Sequence, residues 1–276
     1  MNSGTINTGA SFDAAELRAR FNPEDSLLRR QQIVMLEMVK ELDRICKKHD
    51  IPYFLYGGTL LGAVRHNGFI PWDDDLDVAL LRKDYKRLLK ILPDELPEHI
   101  ALQTNDTDKN YFYFIGKLRD KHSFLDEGNY DRVFKERGIF IDLFPLDLTS
   151  HWAHMLAAPL QGHAFKILRT GKDDTKSMRK VRALTSVNRY MTFPLLRAVC
   201  RLLPSRALMC DFGIPYHNVY DIKDIFPLKT HDFEGVQLPI PGNSDHMLQV
   251  MYGDYMQLPD LDHLAPHVQK LEFYGD

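Results

Sequence analysis

The sequence predicts an α+β fold, a mixed sheet flanked by helices with a mostly helical basic region attached. Three observations predict it. Up to residue 150, short apolar runs bounded by Pro and Gly alternate with stretches of helical periodicity. Beyond residue 150, strand signals vanish until about 231–240. Residues 151–210 hold eleven Lys and Arg against two acids, Asp173 and Asp174, a net +9 in a chain whose formal charge is −3.

Residues 1–25 are rich in Gly, Ser, Thr, Asn and Asp without periodicity, and a loose tail is expected there. Ser26 reads as an N-cap. Leu28, Met35, Val39, Leu42, Ile45 and Cys46 then recur at helical spacing as far as Lys47-Lys48-His49, which places cations at the helix C-terminus. This amphipathic helix is expected to pack on the sheet. Tyr53–Tyr56, between Pro52 and Gly57, reads as a strand, Gly57-Gly58 as a tight turn, and Thr59–His66 as a short helix closed by Asn67-Gly68. Leu76–Leu81 is a second strand and residues 82–92 an amphipathic helix with Tyr85, Leu88, Leu89 and Leu92 inward. Strand-like pieces follow near 100–104, 111–118 and 139–144, and the chain closes on a hairpin (His231–Ile240), a helix (Ser244–Tyr252) and a Pro-rich end. Four regions are expected: a tail over 1–25, a core over 26–150, a basic helical region over 151–230, and a hairpin and helix over 231–276 that pack back on the core.

With 276 residues, 44% hydrophobic and 26% charged, the composition excludes collagen-like, disordered and coiled-coil classes. A pI near 6.5 argues against a nucleic-acid-coating protein, so no nucleic-acid partner is expected. Cys46, Cys200 and Cys210 have no short spacing, which predicts neither a disulfide framework nor a Cys-rich zinc site and suits a reducing setting. The first twenty residues lack an apolar leader and no run of eighteen apolar residues occurs, so the expected location is cytoplasmic or at the inner face of the cytoplasmic membrane.

The chemistry concentrates in YFLYGGTLLGAVRHNGFIPWDDDLDVALL, residues 53–81. Gly57, Gly58 and Thr59 lie between a strand and a helix N-terminus, where the backbone can approach a ligand and free N–H groups suit phosphate; a purely structural turn is the competing reading. Asp75 and Asp77 enter the next strand at i and i+2, so both carboxylates face one side. Side by side they repel one another, and a hard divalent cation removes the conflict; Mg²⁺ takes one or two carboxylates plus phosphate oxygens. A solvated acidic loop is the alternative, weakened by the apolar Val78–Leu81 that follows. Asp142 stands alone in the apolar run Gly138–Phe144, where an unpaired acid is costly. On a neighbouring strand it would complete a metal triad; bonded to backbone or an Arg, it would be structural. Asp147 is a weaker candidate. Glycine corner, paired carboxylates and a later lone carboxylate together form a nucleotidyltransferase-type site for metal-assisted phosphoryl transfer.

The block YGGTLLGAVRHNGFIPWDDDLDVAL strongly resembles the LicD family of phosphotransferases. Gly116–Asp120, Gly138–Asp147, Phe233-Glu234-Gly235, Pro239, Tyr252–Met256 and Pro259 agree, extending the resemblance over about 26–260 with a variable stretch at 150–225. The resemblance implies a nucleotidyltransferase-like core, with Asp75 and Asp77 as the metal-binding pair and Asp142 as the later acid. It implies Mg²⁺ as cofactor, with Mn²⁺ as an alternative. It also implies transfer of a phospho-alcohol, phosphocholine or similar, from a CDP-linked donor to a sugar hydroxyl of a cell-surface glycan or lipid-linked glycan, with release of CMP. Arg65, Lys117 and Arg119 are then the basic residues expected at the diphosphate; plain surface cations are the alternative.

Other residues carry less. His66 reads as a helix C-terminal cap, Trp72 as a base-stacking or packing side chain, and His151 and His154 as a spacing without further metal ligands. Residues 190–206 alternate apolar side chains with Arg197, Arg201 and Arg206, which suits either peripheral contact with an anionic membrane or a helix with an outward basic face. Two competing functions remain open: a nucleotidyltransferase that adds a nucleoside monophosphate from an NTP and releases pyrophosphate, and a non-catalytic cation-binding scaffold.

Overall fold

The computed structural model describes residues 14–128, 131–169, 175–202, 207–263 and 270–275. Its centre is a mixed sheet. The elements up to its last long strand are α1 (Ala14–Phe21), α2 (Leu27–Lys48), β1 (Phe54–Leu55), α3 (Gly57–His66), β2 (Asp77–Leu81), α4 (Arg82–Glu95), β3 (Ile100–Gln103), β4 (Gly116–Asp120), β5 (Ser123–Asp126) and β6 (Phe140–Thr149). Then come α5 (His151–Arg169), α6 (Thr175–Val187), α7 (Phe193–Leu202), β7 (Ala207–Cys210), α8 (Ile222–Ile225), β8 (Lys229–Phe233), β9 (Val236–Ile240), α9 (Ser244–Tyr252) and β10 (Lys270–Phe273).

The sheet order is β1-β2-β6-β4-β3, with β7 paired to the far half of β6. β2 and β6 run parallel; the other pairings in this sheet are antiparallel. α2 and α4 cover one face, placing Met35, Val39, Leu42, Leu88 and Leu92 in the core with Leu143 and Val78. Strand alternation therefore sends Asp77, Asp142 and Lys117 to the opposite face. Among the described residues no helix is long and apolar enough to cross a membrane.

The α+β expectation holds, as do the Ser26 cap, which accepts from the Arg29 N–H at 3.0 Å, the hairpin β8–β9 and the helix α9. Three local expectations do not. Part of the supposed tail is helical: α1 buries Leu17, and Arg18 pairs with Glu234 at 2.9 Å. Its anchors lie far away in sequence and leave no periodic signal in eight residues. The basic region is mostly helical as expected, but the stretch read as free of strands contains the four-residue β7, which returns to the sheet. The Pro-rich end contains β10, which pairs with the unpredicted β5. Strands this short are specified by their partners rather than by their own alternation. Residues 1–13 and 203–206, the latter at the end of the 190–206 segment, lie outside the described residues.

Candidate active site

The acidic loop is held from below by α2. Buried Gln31 and Gln32 donate to the carbonyls of Asp74 (2.6 Å) and Asp73 (2.9 Å). Asn22 secures Gln32 in turn, donating to its Oε1 at 2.6 Å. Besides packing on the sheet, α2 thus positions the carboxylates, and polar residues on an apolar helix face are the signal that could have shown it.

Gly57 opens α3 with φ +56°, a left-handed conformation that glycine adopts without penalty. A Cβ here would lie 2.7 Å from Asp77 Oδ2, and one on Gly58 would lie 2.7 Å from Asp73 Oδ2. The glycine corner therefore admits site carboxylates against the start of α3. Thr59, buried, accepts the Asp77 N–H on Oγ1 at 2.7 Å and acts as a clamp on the strand. Asp73, which sequence reasoning left out, belongs to the cluster.

Asp77 and Asp142 are direct register partners on β2 and β6, and Lys117 on β4 is the partner of Asp142 on its other side. The three form a row across adjacent strands. Lys117 contacts Asp142 Oδ1 at 2.8 Å and Oδ2 at 3.1 Å, and its ammonium lies 3.3 Å from the centre of the Phe140 ring. Burial and the neighbouring Asp75 and Asp142 raise the Asp77 carboxyl well above the usual carboxylate range. Burial, with Asp75 and Asp74 nearby, does the same to Asp73. Asp142 is raised by burial and pulled back by Lys117. Tyr216 and Tyr252 look onto the acids: burial and the charges of Asp77, Asp75 and Asp142 push the Tyr216 phenol up to about 12, and Tyr252 is likewise raised. A cleft of about 200 Å³ opens beside Asp142, lined by Lys117, Glu127, Phe144, Tyr113 and Tyr216 among others.

The expected basic residues separate. Lys117 lines the cleft. Arg119 shares its face, as i and i+2 require, but is fully buried; it donates to Gln103 Oε1 (2.9 Å) and the Gly138 carbonyl (2.9 Å) and meets Glu127 (3.3 Å). Arg119 is thus a structural cation holding Glu127 rather than a group open to diphosphate. Arg65 is half-buried, donates to the Tyr255 carbonyl at 2.8 Å and faces Asp73 electrostatically. His66 accepts from Arg65 Nε at 3.0 Å and is held near pKa 4 by burial and that arginine. Trp72 packs edge-on against Phe21 and His66. His154 is buried against Thr149, and Asp147 sits near Arg82 and Arg197 beside Asp211, outside the site.

The donor chemistry of Asp75, Asp77 and Asp142, hard oxygens in excess over nearby cations, fits a divalent metal. The expected triad is nonetheless not closed: among the described residues no three acidic, His or Cys side chains converge as a ready ligand set, and Asp142 is engaged by Lys117.

Residues 50–165 match the LicD/FKTN/FKRP nucleotidyltransferase domain. The chain is a phosphotransferase of the LicD type. It is 27% identical over 256 residues to the lipopolysaccharide cholinephosphotransferase LicD of Haemophilus influenzae, a match covering 87% of this chain and 95% of that protein. A shorter match, 41% identical over 64 residues, links 23% of the chain to 24% of an uncharacterized protein of Rickettsia prowazekii. The ribitol 5-phosphate transferase FKRP of Homo sapiens is 50% identical over 34 residues, 12% of this chain and 7% of that protein.

Proposed function

We propose that this protein transfers a phospho-alcohol, phosphocholine or similar, from a CDP-linked donor to a sugar hydroxyl of a cell-surface glycan, releasing CMP. The observation that carries the reading is the row Asp77–Asp142–Lys117, which starts beside the glycine corner and whose Asp142 and Lys117 line the 200 Å³ cleft. The similarity to a cholinephosphotransferase over most of the chain supports it.

Asp75 and Asp77, with Asp142 beside them, would hold Mg²⁺ or Mn²⁺, which supplies neutralisation of diphosphate charge. Lys117 adds a fixed positive charge at the cleft wall and opposes the upward shift that burial imposes on Asp142. The acceptor hydroxyl oxygen attacks the phosphorus that bears the alcohol. A new P–O bond forms, the bond to the CMP oxygen breaks with its electron pair, and the hydroxyl proton passes to a site carboxylate. A carboxylate raised toward neutral pH suits that role, since a base works best near the operating pH. The α2 glutamines and Thr59 keep the acids oriented throughout.

Incubation with CDP-choline or CDP-ribitol, Mg²⁺ and a glycan acceptor should release CMP. Release of pyrophosphate from an NTP instead would replace this reading with nucleotidyl transfer. Absence of turnover and of Mg²⁺-dependent thermal shift with any of these would leave a scaffold.

A further inference from the structure

Of the eighteen large apolar side chains exposed among the described residues, eleven lie between Leu148 and Leu202. They are organised. On α5, Trp152, Met155 and Leu156 stand at i, i+3 and i+4, with Met155 56% and Leu156 55% exposed. On α7, Leu195, Val199 and Leu202 stand at i, i+4 and i+7, with Leu195 65% and Leu202 85% exposed. Each set is one stripe of its helix. The inward stripes of the same helices meet in a separate small core of Ala153, Ala157, Phe193, Cys200 and Phe212. α5 and α7 are therefore fixed against each other and against the molecule while their outer stripes remain uncovered.

Charge selects the occupant. Arg197, expected on an outward basic face, turns inward and pairs bidentately with Asp211, Nε donating to Oδ1 at 3.0 Å and a terminal nitrogen to Oδ2 at 2.9 Å. The outer face of α7 is consequently apolar, with Arg201 exposed beside it; Lys166 on α5 and Arg179 and Lys180 on α6 are exposed too. α5, α6 and α7 contain no Asp or Glu. An apolar stripe bordered by cations and free of acids matches the boundary of an anionic bilayer, where side chains enter the acyl region and cations meet headgroup phosphates. A protein partner would need an acidic, apolar counter-surface, for which the chain offers no sign. We propose that the α5–α7 face docks the enzyme on an anionic phospholipid surface.

The test is co-sedimentation of the full chain with vesicles of phosphatidylglycerol and phosphatidylcholine in equal parts, and with phosphatidylcholine alone. Binding to the anionic vesicles is expected at low salt, with a several-fold drop at high salt or on neutral vesicles. The double variant Leu156→Glu, Leu195→Glu should lose binding at least tenfold with unchanged circular dichroism, because both side chains are exposed. Lys166→Glu with Arg201→Glu should weaken binding while leaving the stripe intact. Retention in the supernatant with anionic vesicles at low salt overturns the proposal. So does vesicle binding that ignores the leucine substitutions, or light scattering that shows a stable dimer closed over this face.

Discussion

Asp77 and Asp142 face each other as register partners across the parallel pair β2–β6, more than sixty residues apart in sequence, and Lys117 flanks Asp142 on the next strand. One row of the sheet thereby holds two acids and one cation; burial raises both acids, the neighbouring carboxylates raise Asp77 further, and Lys117 pulls Asp142 back. Removing a charge from this row should affect chemistry and stability in opposite directions. Asp77→Asn is expected to lower kcat about 10²–10⁴-fold, while thermal unfolding stays level or rises because a repulsive neighbour is gone. Loss of both activity and folding would show the carboxylate to be structural.

Lys117 pulls the Asp142 carboxyl back toward its ionised form. After burial it is the leading influence on that carboxyl, and it acts downward. Lys117→Met should therefore raise the Asp142 pKa further. If Asp142 works ionised, the acidic limb of kcat/KM moves to higher pH in the variant, and a pH–rate profile reads the displacement directly.

The two glycines of the corner should respond differently to alanine. At Gly58 φ is ordinary and the added methyl meets only Asp73 Oδ2, so Gly58→Ala should cost activity with little change in melting temperature. At Gly57 the positive φ adds roughly 1–2 kcal/mol of backbone strain to the clash with Asp77, so stability should fall as well. Paired measurements of kcat and Tm separate the two.

Arg119 predicts the reverse of a ligand-binding residue. It is fully buried with a carboxamide, a carbonyl and Glu127 as partners. Arg119→Met takes a buried donor from Gln103 Oε1 and the Gly138 carbonyl and should cost about 3 kcal/mol in denaturant unfolding. A folded variant changed only in KM for the donor would contradict this.

His154 supplies a pH signature remote from the acids. Burial, aided by His217, holds its pKa down to about 4 against 6.5 unfolded. Between those values the unfolded chain binds the extra proton, so stability falls as pH drops from 6.5 toward 4, by at most about 3 kcal/mol. In His154→Gln that component disappears, and unfolding across this pH range should be correspondingly flatter than in the parent.

The local sequence determined those elements whose signals are local. α2 has its Ser26 cap and a long apolar stripe, α9 has a cap and an apolar face, and Asp75, Asp77 and Asp142 stand out because acids beside apolar strand residues are costly. What tertiary structure alone decided is who meets whom. The parallel pairing of β2 with β6 turned two distant acids into neighbours, the antiparallel pairing of β4 with β6 gave Lys117 to Asp142, and the packing around them set Asp73 against Gly58 and locked Arg119 to Gln103 and Glu127. The same holds for α1, β5, β7 and β10, whose few residues acquire their conformation from partners far along the chain, and for Arg197, whose turn inward follows from Asp211. Periodicity reports which face of an element is apolar; it carries no information about the element on the other side of that face, because register and side-chain pairing are settled by packing between segments.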